Sequence, residues 1–268
     1  MTVQLIIAFF ICIAATTIGA ISGVGGGVII KPVMDAVSGL PVSHISFLSG
    51  CTVLSMSIVS LLRSRGGTTK VEPRRGTLLA AGAALGGLVG QAWFSWVKEA
   101  SGNDGLVGSI QSLIMVVLTV GILVYTLYKQ RIATKDVQSP LGSVAIGLLL
   151  GILSAFLGIG GGPINLAVLH YCFSMNTKTA ALNSIYIILF SQSASLVSTL
   201  VGRQVPPVSP LMLAVMVGGG IAGGFVGSYF SKKLHTKAVD KVFLWLLVVI
   251  IGISCYNLYK DALLFLGA

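Results

Sequence analysis

Eight long apolar stretches dominate this chain of 268 residues. They cover residues 4–22, 45–62, 77–97, 106–128, 141–157, 181–201, 209–230 and 242–259. A helix needs about 20 apolar residues to cross the roughly 30 Å hydrocarbon layer of a bilayer, and an isolated strand there would leave its backbone unpaired. The pattern therefore predicts an all-α polytopic membrane protein with eight long helices. No basic residue precedes the first stretch, so we interpret it as a span and not as a signal peptide.

The composition agrees with a membrane environment. Charged residues make up 9% of the chain, whereas soluble domains have about 25%. This excludes a cytosolic enzyme, a secreted disulfide scaffold and a disordered chain. The net charge is +10, but the basic residues lie in short runs between apolar stretches, as in membrane proteins. We therefore expect a lipid bilayer and no nucleic acid as a partner. All four cysteines lie within apolar stretches, and we interpret them as buried hydrophobic residues.

The chain contains an internal repeat. The segment SGVGGGVI at 22–29 matches LGIGGGPI at 157–164, an offset of 135 residues, and VGILVYTLYK at 120–129 matches IGISCYNLYK at 251–260. We therefore divide the chain into repeat 1 (1–130), a linker (131–140) and repeat 2 (141–260), which together form one transport domain over 1–268. Internal duplication of this kind is typical of secondary transporters.

The short apolar segments 28–40 and 163–175 determine how the two halves are related. If they do not cross the membrane, each half has four crossings and the halves are parallel. If they cross, or complete a crossing as half-helices, each half has five and the halves are inverted repeats. With both termini outside, the inverted arrangement puts 13 basic residues in the cytoplasm and 3 outside, against 10 and 6 for the parallel arrangement. Because cytoplasmic loops carry an excess of Lys and Arg, the inverted arrangement fits better.

Two glycine-rich loops interrupt the helix pattern at equivalent points of the halves. Their residues are Gly23, Gly25, Gly26 and Gly27 in repeat 1, and Gly158, Gly160, Gly161 and Gly162 in repeat 2. Unpaired amides in lipid are strongly unfavourable, so such loops must be buried in protein or line an aqueous cavity. We expect each loop to be followed by a half-helix, whose free N–H groups and positive dipole end favour an anion. The alternative is that the glycines only allow two helices to cross closely.

A few polar residues near the loops are candidates for the substrate site. Ser22, Ser49, Ser184 and Asn165 could bind an oxyanion, although serine and asparagine also stabilise helix packing in membranes.

Ionisable residues within the membrane region are functional candidates by default. We expect Lys31 to attract the anion and Asp35 or His170 to carry a coupling proton. In the alternative interpretation, Lys31 extends to the interface and pairs with Asp35. The histidines lack carboxylate partners at ligand spacing, so we predict no metal site and no cofactor.

The paired motifs GVGGGVIIKP and GIGGGPINLA, each opening one half, resemble the sulfite exporter TauE/SafE family of membrane transporters. The resemblance extends over residues 5–260. It implies a multi-pass protein of the bacterial inner membrane that moves a sulfur-containing anion such as sulfite or an organosulfonate. The family pattern often has a proline a few residues beyond the last glycine. Pro32 fits this pattern, whereas the second half has Ala167 there and carries Pro163 instead.

These observations predict a secondary transporter that moves a small anion by alternating access between the two repeats. Because the chain has no ATP-binding motif, the energy would come from the substrate gradient or from a coupled proton or other ion. A passive anion channel is the first alternative. An intramembrane enzyme is less favoured, since the sequence lacks a recognisable nucleophile and base. The sequence leaves the oligomeric state open.

Overall fold

The computed structural model describes residues 2–65, 69–102 and 104–266, and over these residues the protein is almost entirely helical. The helices are α1 (Thr2–Ser22), α2 (Gly27–Val37), α3 (Val42–Ser64), α4 (Pro73–Ser101), α5 (Asp104–Tyr128), α6 (Pro140–Leu157), α7 (Gly162–Phe173), α8 (Thr177–Val201), α9 (Pro210–Lys233) and α10 (Thr236–Leu266). A short 3₁₀ helix at Lys129–Arg131 follows α5.

Eight helices in the described part of the chain are long and apolar enough to cross a membrane, which confirms the prediction of eight long helices. They are all of the helices except α2 and α7. Several begin before or end after the predicted apolar stretch: α4 begins at Pro73 and α10 at Thr236. Polar residues at the membrane surface can continue a helix, so hydropathy underestimates its length. Large apolar side chains such as Phe10 and Trp96 are exposed on the outside of the bundle, where lipid would cover them.

The two short helices follow the glycine loops, as the sequence predicted. Helix α2 has 11 residues and α7 has 12, too few to cross a bilayer alone. Helix α7 has Pro163 in its first turn, where a missing N–H has no consequence. Helix α2 instead contains Pro32 in its interior. The two halves therefore differ in where the proline lies: at the start of α7 and in the middle of α2.

Glycine rows allow the long helices to cross closely. On α4, a methyl group on Gly86 would lie 2.8 Å from the backbone nitrogen of Ile152 on α6. In return, a methyl group on Gly151 of α6 would lie 2.8 Å from the Cα atom of Ala83 on α4. Helices α9 and α1 cross similarly, because a methyl group on Gly227 would lie 2.5 Å from the carbonyl oxygen of Thr17. Close backbone approach is what small residues provide in membrane helices.

We expect the Gly86→Val variant to be strongly destabilised, because the new side chain would overlap the α6 backbone. Overpacking typically costs about 1–3 kcal/mol, and each kcal/mol lowers Tm by about 2–4 °C in a protein of this size. Gly218→Val on α9 is the matched control, since a methyl group there would meet no atom within 4 Å. Thermal unfolding of both variants in detergent tests this prediction. Equal losses of stability would mean that helix propensity, and not the crossing, explains the effect.

Each half packs mainly against the other half. Helix α4 packs against α6 and α8, and correspondingly α9 packs against α1 and α3. Helices α5 and α10, the last of each half, pack against each other. The contacts are reciprocal. If each helix of the first half (α1–α5) is exchanged with its counterpart in the second half (α6–α10), the same helix pairs are obtained.

Hydrogen bonds define one end of the bundle, which we call the linker end. The backbone N–H of Lys135 in the linker donates to the carbonyl of Tyr171 at the end of α7, at 2.7 Å. Arg75, at the start of α4, forms an ion pair of 2.8 Å with Asp136. Lys129, after α5, forms another of 2.7 Å with Asp240 on α10.

At the opposite end, called the far end, Lys98 on α4 donates to the hydroxyl of Ser43 on α3 at 2.8 Å. Ser95 on α4 donates to the side-chain oxygen of Gln204, which follows α8, at 2.9 Å. Helix α3 therefore begins at the far end, whereas α4 and α8 finish there.

Candidate functional site

The two glycine loops, residues 23–26 and 158–161, contact each other in the interior of the bundle. A methyl group on Gly25 would lie 3.6 Å from the carbonyl oxygen of Gly160, and one on Gly27 would lie 2.8 Å from the carbonyl carbon of Ile159. The φ angles are 83° at Gly25 and 75° at Gly160. Glycine adopts this left-handed region without the steric penalty of a side chain. Larger residues here would strain the backbone and force the loops apart.

Each loop ends where a short helix begins. The N-cap residues are Gly26 for α2 and Gly161 for α7, and neither helix has a side-chain cap. The first N–H groups of a helix have no partner within the helix, and the dipole makes this end positive. The fold thus brings together the two elements that the sequence predicted to favour an anion.

Three predicted site residues are fully buried and lack a hydrogen-bond partner among the described residues. These groups are the hydroxyls of Ser49 and Ser184 and both polar atoms of the Asn165 side chain. Asn165 lies beside the second loop, since a methyl group on Gly161 would be 2.5 Å from its Nδ2 atom. An unsatisfied buried polar group costs about 1–3 kcal/mol, so these groups are available to a ligand.

Two other serines lie close to the loops. Ser22 is buried, but its hydroxyl donates to the carbonyl of Ile18 at 2.8 Å and can offer a ligand only its lone pairs. Ser46 was not predicted from the sequence. A methyl group on Gly158 would lie 2.7 Å from its Oγ, and within the described chain that Oγ is buried without a partner.

Lys31 is buried beside the second loop and does not extend to the membrane interface. Its side chain is 4% exposed, so the interpretation that it extends to the interface is wrong. Its ammonium group donates to Gln111 Oε1 at 2.5 Å and to the carbonyl of Leu157 at 2.7 Å, while Gln111 Nε2 donates to the carbonyl of Phe156 at 2.6 Å. Lys31 and Gln111 therefore cap the C-terminus of α6. A methyl group on Gly158 would lie 3.5 Å from Lys31 Nζ, so the lysine amino group borders the loop.

The two other ionisable candidates lie at opposite ends of the bundle. Asp35 is half-buried near the end of α2, where its backbone carbonyl accepts a hydrogen bond from Lys260 at 3.2 Å. His170 is half-buried near the end of α7, with Nδ1 at 2.9 Å from the hydroxyl of Tyr125. It borders a small cavity with Asp240 at the linker end. The structure does not bring His170 to the glycine loops.

A cavity of about 350 Å³ leads from the far end toward the second loop. Glutamine side chains are frequent in its lining, so we call it the glutamine cavity. Its lining includes Ser46, Gln91, Lys98, Glu99, Gly158, Gln192 and Ser195. Because Gly158 is the first residue of the second loop, the cavity reaches that loop.

A second cavity, also of about 350 Å³, lies at the linker end. Two lysines line it, so we call it the lysine cavity. Its lining includes Ser60, Ser64, Lys178, Ser228, Ser231 and Lys232.

The two cavities occupy equivalent positions in the two halves. The repeat offset of 135 residues relates Ala20 in the lysine cavity to Ala155 in the glutamine cavity. It also relates Ser60 to Ser195. The cavities are therefore two versions of one structural feature, open at the two ends of the bundle.

Two buried apolar residues separate the cavities. On α3, Val53 lies between Gly50, which lines the glutamine cavity, and Ser60, which lines the lysine cavity. Val53 is three residues after Gly50 and seven residues before Ser60, about one and two helical turns, so the three positions lie along one side of the helix. Ile188 holds the equivalent position on α8.

Both side chains also contact the loops. A methyl group on Gly160 would lie 2.8 Å from Val53 Cγ1, and one on Gly25 would lie 3.1 Å from Ile188 Cδ1. Val53 and Ile188 are 0% exposed. Sequence reasoning missed this pair, although the repeat offset alone relates the two positions.

Among the described residues, no group of three or more His, Cys, Asp or Glu side chains is placed so that it could hold a metal ion. The polar groups near the loops are hydroxyls, amides and one ammonium group, which bind anions and neutral ligands better than metal ions.

A helical membrane protein whose broken helices meet between cavities at its two ends belongs to the class of membrane transport proteins. The family model described as sulfite exporter TauE/SafE matches residues 8–254. The chain therefore belongs to the TauE/SafE family, a family of membrane transporters and not of enzymes. The family and the eight candidate spans identify a multi-pass membrane protein, and a bacterial inner membrane fits both.

Curated relatives are described in the same terms. The chain is 23% identical over 265 residues to a protein of Bacillus subtilis described as "Probable membrane transporter protein YunE", covering 92% of this chain and 94% of that protein. It is 27% identical over 111 residues to "Probable membrane transporter protein MamO" of Magnetospirillum gryphiswaldense, covering 40% of this chain and 18% of that protein. No solved structure matches the chain significantly.

Proposed function

We propose that this transporter moves a small anion, of the sulfite or organosulfonate type, by alternating access between its two repeats. The observation that carries the proposal is the pair of equivalent cavities, of about 350 Å³ each, that open at the two ends and are separated at the glycine loops. Secondary transporters place the substrate near the membrane midplane, between the repeats and at the ends of broken helices. The family description supplies the sulfur-containing anion.

We further propose that the halves are inverted repeats. Helix α3 begins at the far end and its counterpart α8 ends there, as the contacts of Ser43 and Gln204 indicate. Most basic residues, including Arg75 and Lys129, lie toward the linker end, so this end is assigned to the cytoplasm. Opposite directions of equivalent helices support inversion and an exchange of roles between the two cavities.

In the proposed site, the anion lies between the loops and is bound by helix N-termini, by Asn165 and by the hydroxyls of Ser49 and Ser184. Lys31 provides a fixed positive charge behind Gly158, which favours the anion without direct contact. The coupling ion is proposed to be a proton, for which Asp35 is better placed than His170, because α2 also carries Lys31.

Flux measurements on the purified protein in liposomes test the proposal. We expect saturable uptake of radiolabelled sulfite, accelerated when unlabelled sulfite is present on the other side of the membrane. Sulfate, a short organosulfonate and a short carboxylate serve as competitors. Protein-free liposomes control for leakage. Sustained unitary currents without trans-acceleration would indicate a passive channel and overturn alternating access.

A further inference from the structure

We infer that the lysine cavity contains an anion-binding site of its own, formed by Lys178, Lys232 and Ser60, which binds the oxyanion before it reaches the loops. The inference rests on the proposed function and assigns residues to the linker-end stage of transport. The ligand class is a small oxyanion with several acceptor oxygens. A sulfite-type anion and the headgroup of an anionic lipid share this chemistry, and the experiment below distinguishes them.

The charge of the lining is the first argument. Two lysines and several hydroxyls line the cavity, and none of its described lining residues is acidic. The glutamine cavity instead contains one lysine and one glutamate, Lys98 and Glu99. At the position equivalent to Lys178 the glutamine cavity has Ser43. The two cavities therefore match in volume but differ in charge, and only the lysine cavity has a net positive lining.

The position of Lys178 is the second argument. It lies in the first turn of α8, which begins at Thr177. A cation at the positive end of a helix dipole is unfavourable, so helix stability does not account for a lysine here. An anion in the cavity would be attracted by both the lysine and the helix end. Lys232 differs, because it lies in the last turn of α9, where the dipole itself favours a cation.

The hydroxyl groups supply the third argument. Ser64 donates to the carbonyl of Leu61 at 2.7 Å and Ser228 to that of Gly224 at 2.6 Å, so both protons are used within the helices. Ser60 is 3% exposed, and among the described residues its Oγ has no partner. A buried hydroxyl at the wall of a cationic cavity can donate to an anion.

Lysine-to-glutamine variants test the site, because glutamine keeps much of the side-chain length and removes the charge. We expect Lys178→Gln and Lys232→Gln each to raise the half-saturating sulfite concentration at the linker side by about tenfold, since a charge-assisted hydrogen bond is lost. The half-saturating sulfite concentration at the far side should change less than about twofold, because the lining of the glutamine cavity is unchanged. Lys233→Gln is the matched control: Lys233 is the next residue, but its ammonium group contacts Tyr229 and does not line the cavity.

A binding measurement separates this inference from the proposed function. Sulfite should raise the Tm of the wild-type protein in detergent, and Lys178→Gln should reduce that rise, leaving only the contribution of the loop site, while Lys233→Gln retains it in full. If wild-type protein shows the rise but no sulfite flux, the transport proposal fails and the site stands. If flux is normal and Lys178→Gln is unchanged at both sides, the site is wrong.

Liposomes of pure phosphatidylcholine, compared with liposomes containing phosphatidylglycerol, identify the source of the anion. We expect the Lys178→Gln effect in both. An effect confined to anionic liposomes would show that the cavity binds lipid headgroups and would overturn the inference. An equal increase in the half-saturating sulfite concentration at both sides of the membrane would also overturn the inference, because it would indicate a structural defect.

Discussion

Replacement of Asn165 by leucine is expected to impair transport strongly and, at the same time, to raise the thermal stability of the protein. The two effects have opposite signs because the wild-type amide is fully buried and, within the described residues, makes no hydrogen bond. Removing such a group restores about 1–3 kcal/mol, which corresponds to about 2–4 °C in Tm for each kcal/mol. Transport should fall at least about tenfold, because the ligand loses a buried hydrogen-bonding partner worth about 1.4 kcal/mol or more.

Asn183→Leu is the matched control. Asn183 is equally buried on α8, but its side-chain oxygen accepts from the backbone of Glu72 at 3.3 Å and its Nδ2 donates to the carbonyl of Thr179 at 2.9 Å. Its replacement should therefore lower Tm. Asn165→Ala repeats the test without adding volume beside Gly161. Thermal unfolding and sulfite flux on the same preparations provide both readouts. A lower Tm for both Asn165 variants would show that the amide is a structural element and not a binding group.

Making the barrier between the cavities polar should convert the protein into a leak. In the double variant Val53→Thr and Ile188→Thr, hydroxyl groups replace a methyl group of Val53 and the ethyl group of Ile188 at the contact between the two loops. Apolar constrictions block ions because water does not fill them, and hydroxyls favour hydration. We expect efflux of sulfite into substrate-free buffer to rise at least about tenfold, because the pathway then conducts without a conformational change.

Stopped-flow measurement of efflux from loaded liposomes tests this expectation. Ile58→Thr is the control, since Ile58 lies on the same helix but is 43% exposed on the outer surface of the bundle. It should leave the leak at the wild-type level. Unchanged leakage in the double variant, with normal exchange, would mean that the barrier lies elsewhere. Loss of both leakage and exchange, with normal Tm, would contradict the barrier as well.

The sequence predicted the helices well because a bilayer imposes a strong local rule. An apolar stretch of sufficient length must be a helix, and the eight stretches are helices in the structure. The half-helices were also predictable, since Gly-rich loops interrupt the apolar pattern at repeat-related points. The predicted helix ends were less accurate. Helix α8 begins at Thr177, whereas the apolar stretch begins at 181, because the first turn of the helix is polar.

The environment of Lys31 shows where sequence reasoning stops. The spacing of Lys31 and Asp35 predicted a possible pair on one helix, but it did not indicate two further partners of the ammonium group, Gln111 and the carbonyl of Leu157, which are 80 and 126 residues away. Nothing local to Lys31 identifies these partners. Only the tertiary fold, which places Gln111 of α5 and the C-terminus of α6 within reach of the Lys31 side chain, brings them together.

By itself, the sequence determined the membrane location, the eight spans, the duplication and the positions of the two glycine loops, because each follows from hydropathy, glycine content or repetition along the chain. The tertiary structure alone decided that the loops touch, that Val53 and Ile188 lie between two cavities, and that Lys31 caps α6. These features depend on contacts between residues more than 100 positions apart. Such contacts are set by how helix surfaces fit together, and a linear pattern of polarity does not encode that fit.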